Sequence, residues 1–505
     1  MIPIKFAWLA AALGLATGAS LVLAGYFLYY LQFFDLGSGL GTDGASGVVA
    51  GMFVLAALPA IYCILVIRAK KLRKSAIVAG FLVAGVLSGI SCGTIGYLGN
   101  TFLAFEPHSD VLAALYSNQA QWETRAAAIR QGILSGAQLV PLPDRTPLNA
   151  VIHDKRVYGN YSIENVYFES VPGFFISGNL YRPTWGNDTD SKPVILVPHG
   201  HFPLGRFEPD NQEVAATFAR MGAIVMIYDM VGWGESMQVS NASDFTPMFQ
   251  IWDSMRVVDF LLTLPGADPT RVAVTGASGG GTQAILLAAV DDRIAAAAPV
   301  VMVSASYAGG PEADEVGMPI RESQGHWTNN AEIAALMAPK PLLLVSDGAD
   351  WTQDNPQVEY PFIQRIYGFY NETGNVQNAH FANEGHDFGP SKRDAVYDFF
   401  ASHLGLNISN VEYPNGTIDE VPNVIENQAA MYAYTSAYPL PADALQGEAA
   451  VLQAFTNAQQ GMQHVDPGTI VYVPTIIILV VLEFASVCFV ILQQKRLRID
   501  AEMPA

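Results

Sequence analysis

A serine bracketed by glycines, Gly276-Ala277-Ser278-Gly279-Gly280, follows the β-branched run Val272–Thr275 and precedes an alanine-rich stretch ending at Val290. That order reads as strand, tight turn and helix, the local setting of a nucleophilic serine. The turn strains the backbone at the serine, so its flanking residues must be small. In return the hydroxyl stands clear of the strand, and amides at the helix start can face a developing oxyanion. The same glycines would also suit a phosphate-cradling loop, and only the surrounding chain can separate the two readings. A serine hydroxyl at its free pKa is a weak nucleophile; it needs a base, itself oriented by an acid.

Both partners can be sought downstream, where the expected order is serine, acid, histidine. After the apolar run Leu342–Val345 comes Ser346-Asp347-Gly348-Ala349-Asp350-Trp351. Asp350, beyond the Gly-Ala turn, is the better-placed acid, while Asp347 suits a turn cap. Of the later histidines, His380 falls within a strand pattern, His403 on a closing helix and His464 near a strongly apolar segment. His386, in Asn383-Glu384-Gly385-His386-Asp387-Phe388, falls in a loop between the last strand and the last helix, where a base is needed.

Upstream, Pro198-His199-Gly200-His201 follows the strand Val194–Val197. Backbone amides around Gly200 and His201, together with that of Gly279, are the candidate oxyanion donors. Two histidines alone make a poor zinc site, and the proposed chemistry needs neither metal nor organic cofactor. Asp229-Met230-Val231-Gly232-Trp233-Gly234-Glu235-Ser236 reads as a glycine-shaped rim with a structural role. The long segment Val301–Asn330 reads as a lid or substrate wall. Within it Arg321, His326 and Trp327, with His199 from the earlier loop, are candidate substrate contacts.

The elements that must position these residues alternate regularly. Ser162–Ser170 and Phe174–Leu180 read as a strand pair about the Pro172-Gly173 turn. Then come strand Val194–Val197, helix Asn211–Met221, strand Ala223–Tyr228, helix Ile251–Leu264, strand Val272–Thr275 and the helix after the serine. Strand Ala296–Val300, strand Leu342–Val345, helix Pro361–Tyr370, strand Val376–Phe381 and helix Lys392–Leu404 complete the series. Such alternation predicts an α/β fold with a mostly parallel, doubly wound sheet, whose chemistry lies beyond the carboxyl ends of the strands. A helix across Asp110–Leu134 precedes it.

Residues from about 120 to 405 resemble prokaryotic α/β-hydrolases of the acetyl xylan esterase-like family. The resemblance is carried by Glu164-Asn165-Val166-Tyr167-Phe168-Glu169-Ser170, His199-Gly200-His201, Tyr228-Asp229-Met230-Val231-Gly232 and Gly276-Ala277-Ser278-Gly279-Gly280. It continues through Val300-Val301-Met302-Val303-Ser304-Ala305-Ser306, Asp350-Trp351-Thr352 and Lys392-Arg393-Asp394-Ala395-Val396-Tyr397. It implies an α/β-hydrolase fold and serine-ester hydrolysis, with Ser278, Asp350 and His386 on the family's catalytic positions. From Gly309-Gly310-Pro311 onward the chain departs from the family's pattern.

The rest of the chain bears on location. It has 505 residues, 51% of them hydrophobic, and a formal net charge of −20, which disfavours nucleic acid as a partner. Phe6–Leu31, Val48–Ile67, Ala76–Leu98 and Thr469–Leu492 each have the length and apolarity of a membrane span. Basic residues at Lys5, Arg68–Lys74 and Lys495–Arg498 fall on one side of four crossings. The expectation is an integral protein of the cell membrane with cytoplasmic termini, a catalytic domain outside the cytoplasm, and the lipid bilayer as a partner. Glu483 would be an intramembrane carboxylate, and the role of the spans and any membrane-protein partners are left open.

The expected divisions are a membrane domain over 1–100, a helical lead-in over 101–160, and the hydrolase domain over 161–406. An extension over 407–468, a fourth span over 469–493 and a tail over 494–505 follow. Cys63, Cys92 and Cys488 all fall in the apolar segments, so the region between them offers no thiol nucleophile or disulfide. Asn160, Asn187, Asn241, Asn371, Asn407 and Asn415 begin glycosylation sequons. The function these readings imply is a serine carboxylic ester hydrolase, acetyl esters of carbohydrates being among its candidate substrates. A serine peptidase of the same fold and a non-catalytic subunit are the rivals.

Overall fold

The computed structural model describes residues 109–187, 189–240, 243–305 and 327–461. All of them belong to the second of two compact units, Pro107–Ala505. Nine strands form one mixed sheet: β1 (Val151–Tyr158), β2 (Tyr161–Val171), β3 (Phe174–Pro183), β4 (Lys192–Pro198), β5 (Ile224–Tyr228), β6 (Ala267–Ala277), β7 (Ile294–Val300), β8 (Leu342–Asp347) and β9 (Val376–Phe381). Their order across the sheet is β1-β2-β3-β5-β4-β6-β7-β8-β9. From β5 through β9 neighbouring strands run parallel, while β1, β2, β3 and β5 pair antiparallel.

The central strands are short Val, Ile, Leu and Ala runs because helices cover both their faces. Side chains alternate between two apolar layers, as a period of two requires. Val194, Leu196 and Val274 face a layer with Ile129, Trp252 and Leu286, whereas Ile195, Val197 and Ala273 face one with Phe218, Val396 and Phe400. The helices are α1 (Ser109–Ala113), α2 (Gln119–Gly136), α3 (Pro209–Met221), α4 (Thr246–Leu262), α5 (Gly279–Val290), α6 (Asn330–Ala334), α7 (Glu359–Gly368), α8 (Pro390–Leu404), α9 (Gln428–Met431) and α10 (Glu448–Gly461).

The strand–helix alternation from β2 to α8 follows the sequence pattern, with two differences. The helix expected across Asp110–Leu134 is divided, because Asn118 adopts an extended conformation and caps α2, its side-chain oxygen accepting from the Gln121 amide at 3.1 Å. Strand β1 went unread because Val-Ile-His-Asp-Lys-Arg-Val-Tyr carries charge as an edge strand does. Its Arg156 grips the Glu426 carboxylate at 2.6 and 2.7 Å, which ties the residues after α8 to this end of the sheet. Asn165 and Asn179 add side-chain amide bonds to the carbonyls of Ala430, Met431 and Tyr432.

The membrane architecture is corrected. Among the described residues no helix is long and apolar enough to cross a membrane. The longest, α2, has 18 residues but carries Glu123, Arg125 and Arg130. The apolar α4 and α5 have 17 and 12 residues, short of the roughly 20 a span needs, and their apolar surface is buried against the sheet. The integral-membrane assignment, the cell-membrane location with an outward catalytic domain, and the bilayer as a partner are therefore not carried forward. The stretches that prompted them, Phe6–Leu31, Val48–Ile67, Ala76–Leu98 and Thr469–Leu492, lie outside the described residues, as do Glu483 and the three cysteines.

Trp252 lies fully buried in one apolar layer, its indole N–H directed to the Ser170 carbonyl at 3.3 Å. Trp252→Ala should cost about 3–5 kcal/mol of stability, read as a lower urea midpoint at unchanged m-value.

Candidate active site

The strand order places a switch point at β4. Its two neighbours are β5 and β6, so the chain leaves β4 for one side and later returns on the other. Loops diverging at such a point leave a crevice beyond the strand ends. Pro198-His199-Gly200-His201 and Ser278 both stand there, at the ends of β4 and β6.

Ser278 has φ 56° and ψ −123°, a conformation few residues other than glycine adopt. Such strain, of order 1–3 kcal/mol, persists only where surrounding structure enforces it. Here the Ser278 amide donates to the Val300 carbonyl at 2.9 Å, and its carbonyl accepts from Thr282 at 3.0 Å. The glycines around it are a matter of space. A Cβ on Gly276 or Gly280 would come within 2.4 or 2.2 Å of the Pro198 oxygen. One on Gly200 would sit 2.5 Å from the Ala277 oxygen and 3.0 Å from the Ser278 Cβ. The loop after β4 thus lies directly on the serine turn. Gly279 is the first residue of α5, whose opening N–H groups have no partner inside the helix.

Asp350 and His386 are brought together from the ends of β8 and β9: His386 Nδ1 lies 2.7 Å from Asp350 Oδ2. The other carboxylate oxygen accepts from both the amide and the hydroxyl of Thr352, each at 2.6 Å. Burial alone would raise the Asp350 pKa, but the bonds from His386 and Thr352 outweigh it and hold the carboxyl below its usual range. An ionised carboxylate only accepts, so the proton between the two residues sits on Nδ1, leaving the Nε2 lone pair available. The imidazole is flanked by Trp351, ring centroids 4.5 Å apart, and by Phe202 at 6.1 Å. Phe202 also abuts Gly200, where an added Cβ would lie 2.9 Å from its ring. Gly200 and Phe202 therefore bridge from Ser278 to His386.

Asp347, the other candidate acid, is fully buried and faces Lys392 rather than His386. His380 bonds the Ser346 hydroxyl at 2.9 Å, and His403 packs on Phe399. His199 is buried, and both its ring nitrogens are engaged by backbone. Nε2 accepts from the Met230 amide at 3.1 Å, so Nδ1 donates to the Gly200 carbonyl at 2.8 Å. It joins the loops after β4 and β5 rather than presenting a nitrogen to substrate. His201 packs near Trp233, ring centroids 5.5 Å apart. Trp327 has its carbonyl held by Arg125, which also grips Glu332. Arg321 and His326 lie outside the described residues, as does His464.

Three supporting residues escaped the sequence reading. The Thr352 hydroxyl accepts from the Asp347 amide at 3.0 Å while donating to Asp350; it had entered only within the phrase Asp350-Trp351-Thr352, with no role given. Arg206, fully buried, bonds Asp229, Glu235 and Asn179 and so joins the loops after β4 and β5 to β3. Lys392, in the first turn of α8, reaches the loop around His386. Arg206 had no local pattern to mark it, and Lys392 appeared only within the phrase Lys392–Tyr397 that carries the family resemblance, with no role given.

The fold and the strand-end arrangement are those of an α/β-hydrolase. Comparison with known proteins bears out that resemblance. The chain is 36% identical to Methylesterase BT1017, over 69% of this chain and 78% of that one, with a TM-score of 0.63, and it belongs to that protein's family. The model of the X-Pro dipeptidyl-peptidase (S15 family) matches residues 173–357. An acetyl xylan esterase from Paenibacillus sp. R4 is similar at 19% identity over 57% of this chain and 94% of that one, with a TM-score of 0.40. Likeness of that depth carries no weight for substrate. Thiohydrolase apmlB of Arthrinium phaeospermum is 29% identical over 131 residues, 26% of this chain; the match spans 40% of that protein's length. At the level of activity these comparisons support a hydrolase or esterase of the α/β-hydrolase type.

Burial lowers the His199 pKa to about 4. Its unfolded value is about 6.5, so between the two the unfolded chain takes a proton the folded one refuses. Stability should fall as pH drops from about 6.5 to 4, by about 3 kcal/mol from this residue, with no effect above that window. Urea midpoints across pH 4–7.5 should fall less steeply toward acid in His199→Gln than in wild type.

Proposed function

We propose that the protein hydrolyses carboxylic esters through an acyl-enzyme on Ser278, with His386 as base and Asp350 as the group that orients it. The observation that carries this reading is the 2.7 Å bond between Asp350 and His386, linked through the Gly200–Phe202 loop to a serine at positive φ. In the reaction, His386 Nε2 takes the Ser278 hydroxyl proton as the oxygen attacks the ester carbonyl. Asp350 keeps Nδ1–H in place and stabilises the imidazolium. Amides of Gly279 and of the Gly200–His201 loop receive the tetrahedral oxyanion. The imidazolium then protonates the departing alcohol, and water repeats the sequence on the acyl-enzyme.

Methyl esters of carboxylates are the first candidate substrates, because the family includes a protein named as a methylesterase. Acetyl esters of carbohydrates, a candidate from the sequence reading, are the second. A serine peptidase is the alternative reading, favoured by the S15 match over residues 173–357.

A fluorophosphonate probe should form an adduct on Ser278 that is absent in Ser278→Ala. Hydrolysis of aryl acetates should fall about 10⁴-fold or more in that variant, and about 10⁴-fold in Asp350→Asn. A panel of methyl esters, acetylated sugars and X-Pro peptides should show turnover of esters over peptides. Failure of the folded protein to take the probe at Ser278 would sink the nucleophile assignment, and preference for X-Pro peptides would establish the alternative.

A further inference from the structure

Lys392 stands where a lysine is least expected. It lies in the first turn of α8, the end of a helix that disfavours positive charge, and its side chain is fully buried. A buried ammonium persists only if oxygens surround it, and here they come from two loops. Its Nζ donates to the Gly385 carbonyl and, at 2.7 Å, to Asp387 Oδ1, with Glu384 Oε2 at 3.9 Å. On the other side Asp347 Oδ2 lies at 3.3 Å.

The positions of these oxygens give the contact its meaning. Gly385 and Asp387 are the residues immediately before and after His386, so one ammonium holds the backbone and side chain that bracket the imidazole. Asp347 is the last residue of β8, and its remaining oxygen caps the Ala349 amide at 3.0 Å. Its own amide fixes the Thr352 hydroxyl, which bonds Asp350. Both loops whose tips meet in the Asp350–His386 bond are therefore fastened to Lys392.

We propose that Lys392 is a positioning residue for the hydrolysis: its buried ammonium sets the histidine loop against the acid loop and so fixes His386 for proton transfer. The assignment rests on the reading of Ser278, Asp350 and His386 given above. Lys392 touches neither substrate nor the reacting atoms. It acts through the loops.

The test uses the full chain and p-nitrophenyl acetate. Lys392→Met should lower kcat about 100-fold, the scale of a misplacement of about 1 Å at a catalytic group, with KM little changed. The downfield proton resonance of His386 Nδ1–H, absent in His386→Gln, should shift or vanish with it. Because Lys392→Met strands the buried Asp347 carboxylate, a double variant with Asp347→Asn removes that charge. It should recover thermal stability but not kcat, since Gly385 and Asp387 remain unheld. Asp387→Asn, which weakens one arm of the clamp, should show a smaller loss of kcat in the same direction. Folded Lys392→Met or the double variant with wild-type kcat and an unmoved resonance would overturn the proposal. So would a loss of stability alone. If Ser278→Ala retains wild-type turnover, the underlying reading of the site fails and takes this proposal with it. If turnover depends on Ser278 but not on Lys392, only the positioning role fails.

Discussion

The carboxyl edge of the sheet is organised by how closely the loop after β4 lies on the turn after β6. The Pro198 oxygen occupies the space that a Cβ on Gly276 or Gly280 would need. Gly200 in turn leaves no room for a Cβ between itself and Ala277 and Ser278. This approach packs the loop after β4 directly against the positive-φ turn at Ser278. It is possible only because β4 and β6 are adjacent parallel strands whose loops diverge at the switch point. Phe202, on the same loop, then carries the contact across to His386.

Around this approach the fold uses buried polar groups as joints between loops. Arg206 joins the loops after β4 and β5 to β3, its burial lowering its pKa while Glu235 works in the opposite sense. His199 remains neutral and joins the loops after β4 and β5 through two backbone bonds. Lys392 stands between the loops after β8 and β9. Each is costly to bury and directional once paired, which is the property needed to hold irregular segments at fixed separation. Apolar packing supplies the bulk of the stability but does not by itself set such separations.

The family relationship and the site geometry address different questions. Kinship with Methylesterase BT1017, over most of both chains, establishes the hydrolase frame. The S15 match over the middle of the chain shows that the same frame is shared with peptidases. Around the proposed site, Trp351 and Phe202 flank His386, and Trp233 packs near His201. In the proposed mechanism ester and amide carbonyls present the same oxygen to the same amides, so the candidate oxyanion donors do not separate them.

The sequence alone determined the alternation of strands and helices, because each central strand is a short apolar run bounded by turn residues. It also singled out Ser278, Asp350 and His386 as candidates, since each sits in a glycine-containing loop after a strand. The four apolar stretches read as membrane-crossing lie outside the described residues, among which no helix is long and apolar enough to span a bilayer, and the assignment is withdrawn. Other features lay beyond reach because they depend on partners distant in the chain. β1 becomes a strand by pairing with β2 and by the Arg156–Glu426 contact, 270 residues apart. His199, Arg206 and Lys392 look like ordinary loop or helix-end residues until folding surrounds them. Of the two aspartates after β8, the sequence favoured Asp350, and it is Asp350 that bonds His386. Asp347 and Asp350 share one turn; what only the tertiary structure shows is that Asp347 is buried facing Lys392, a residue of the distant α8.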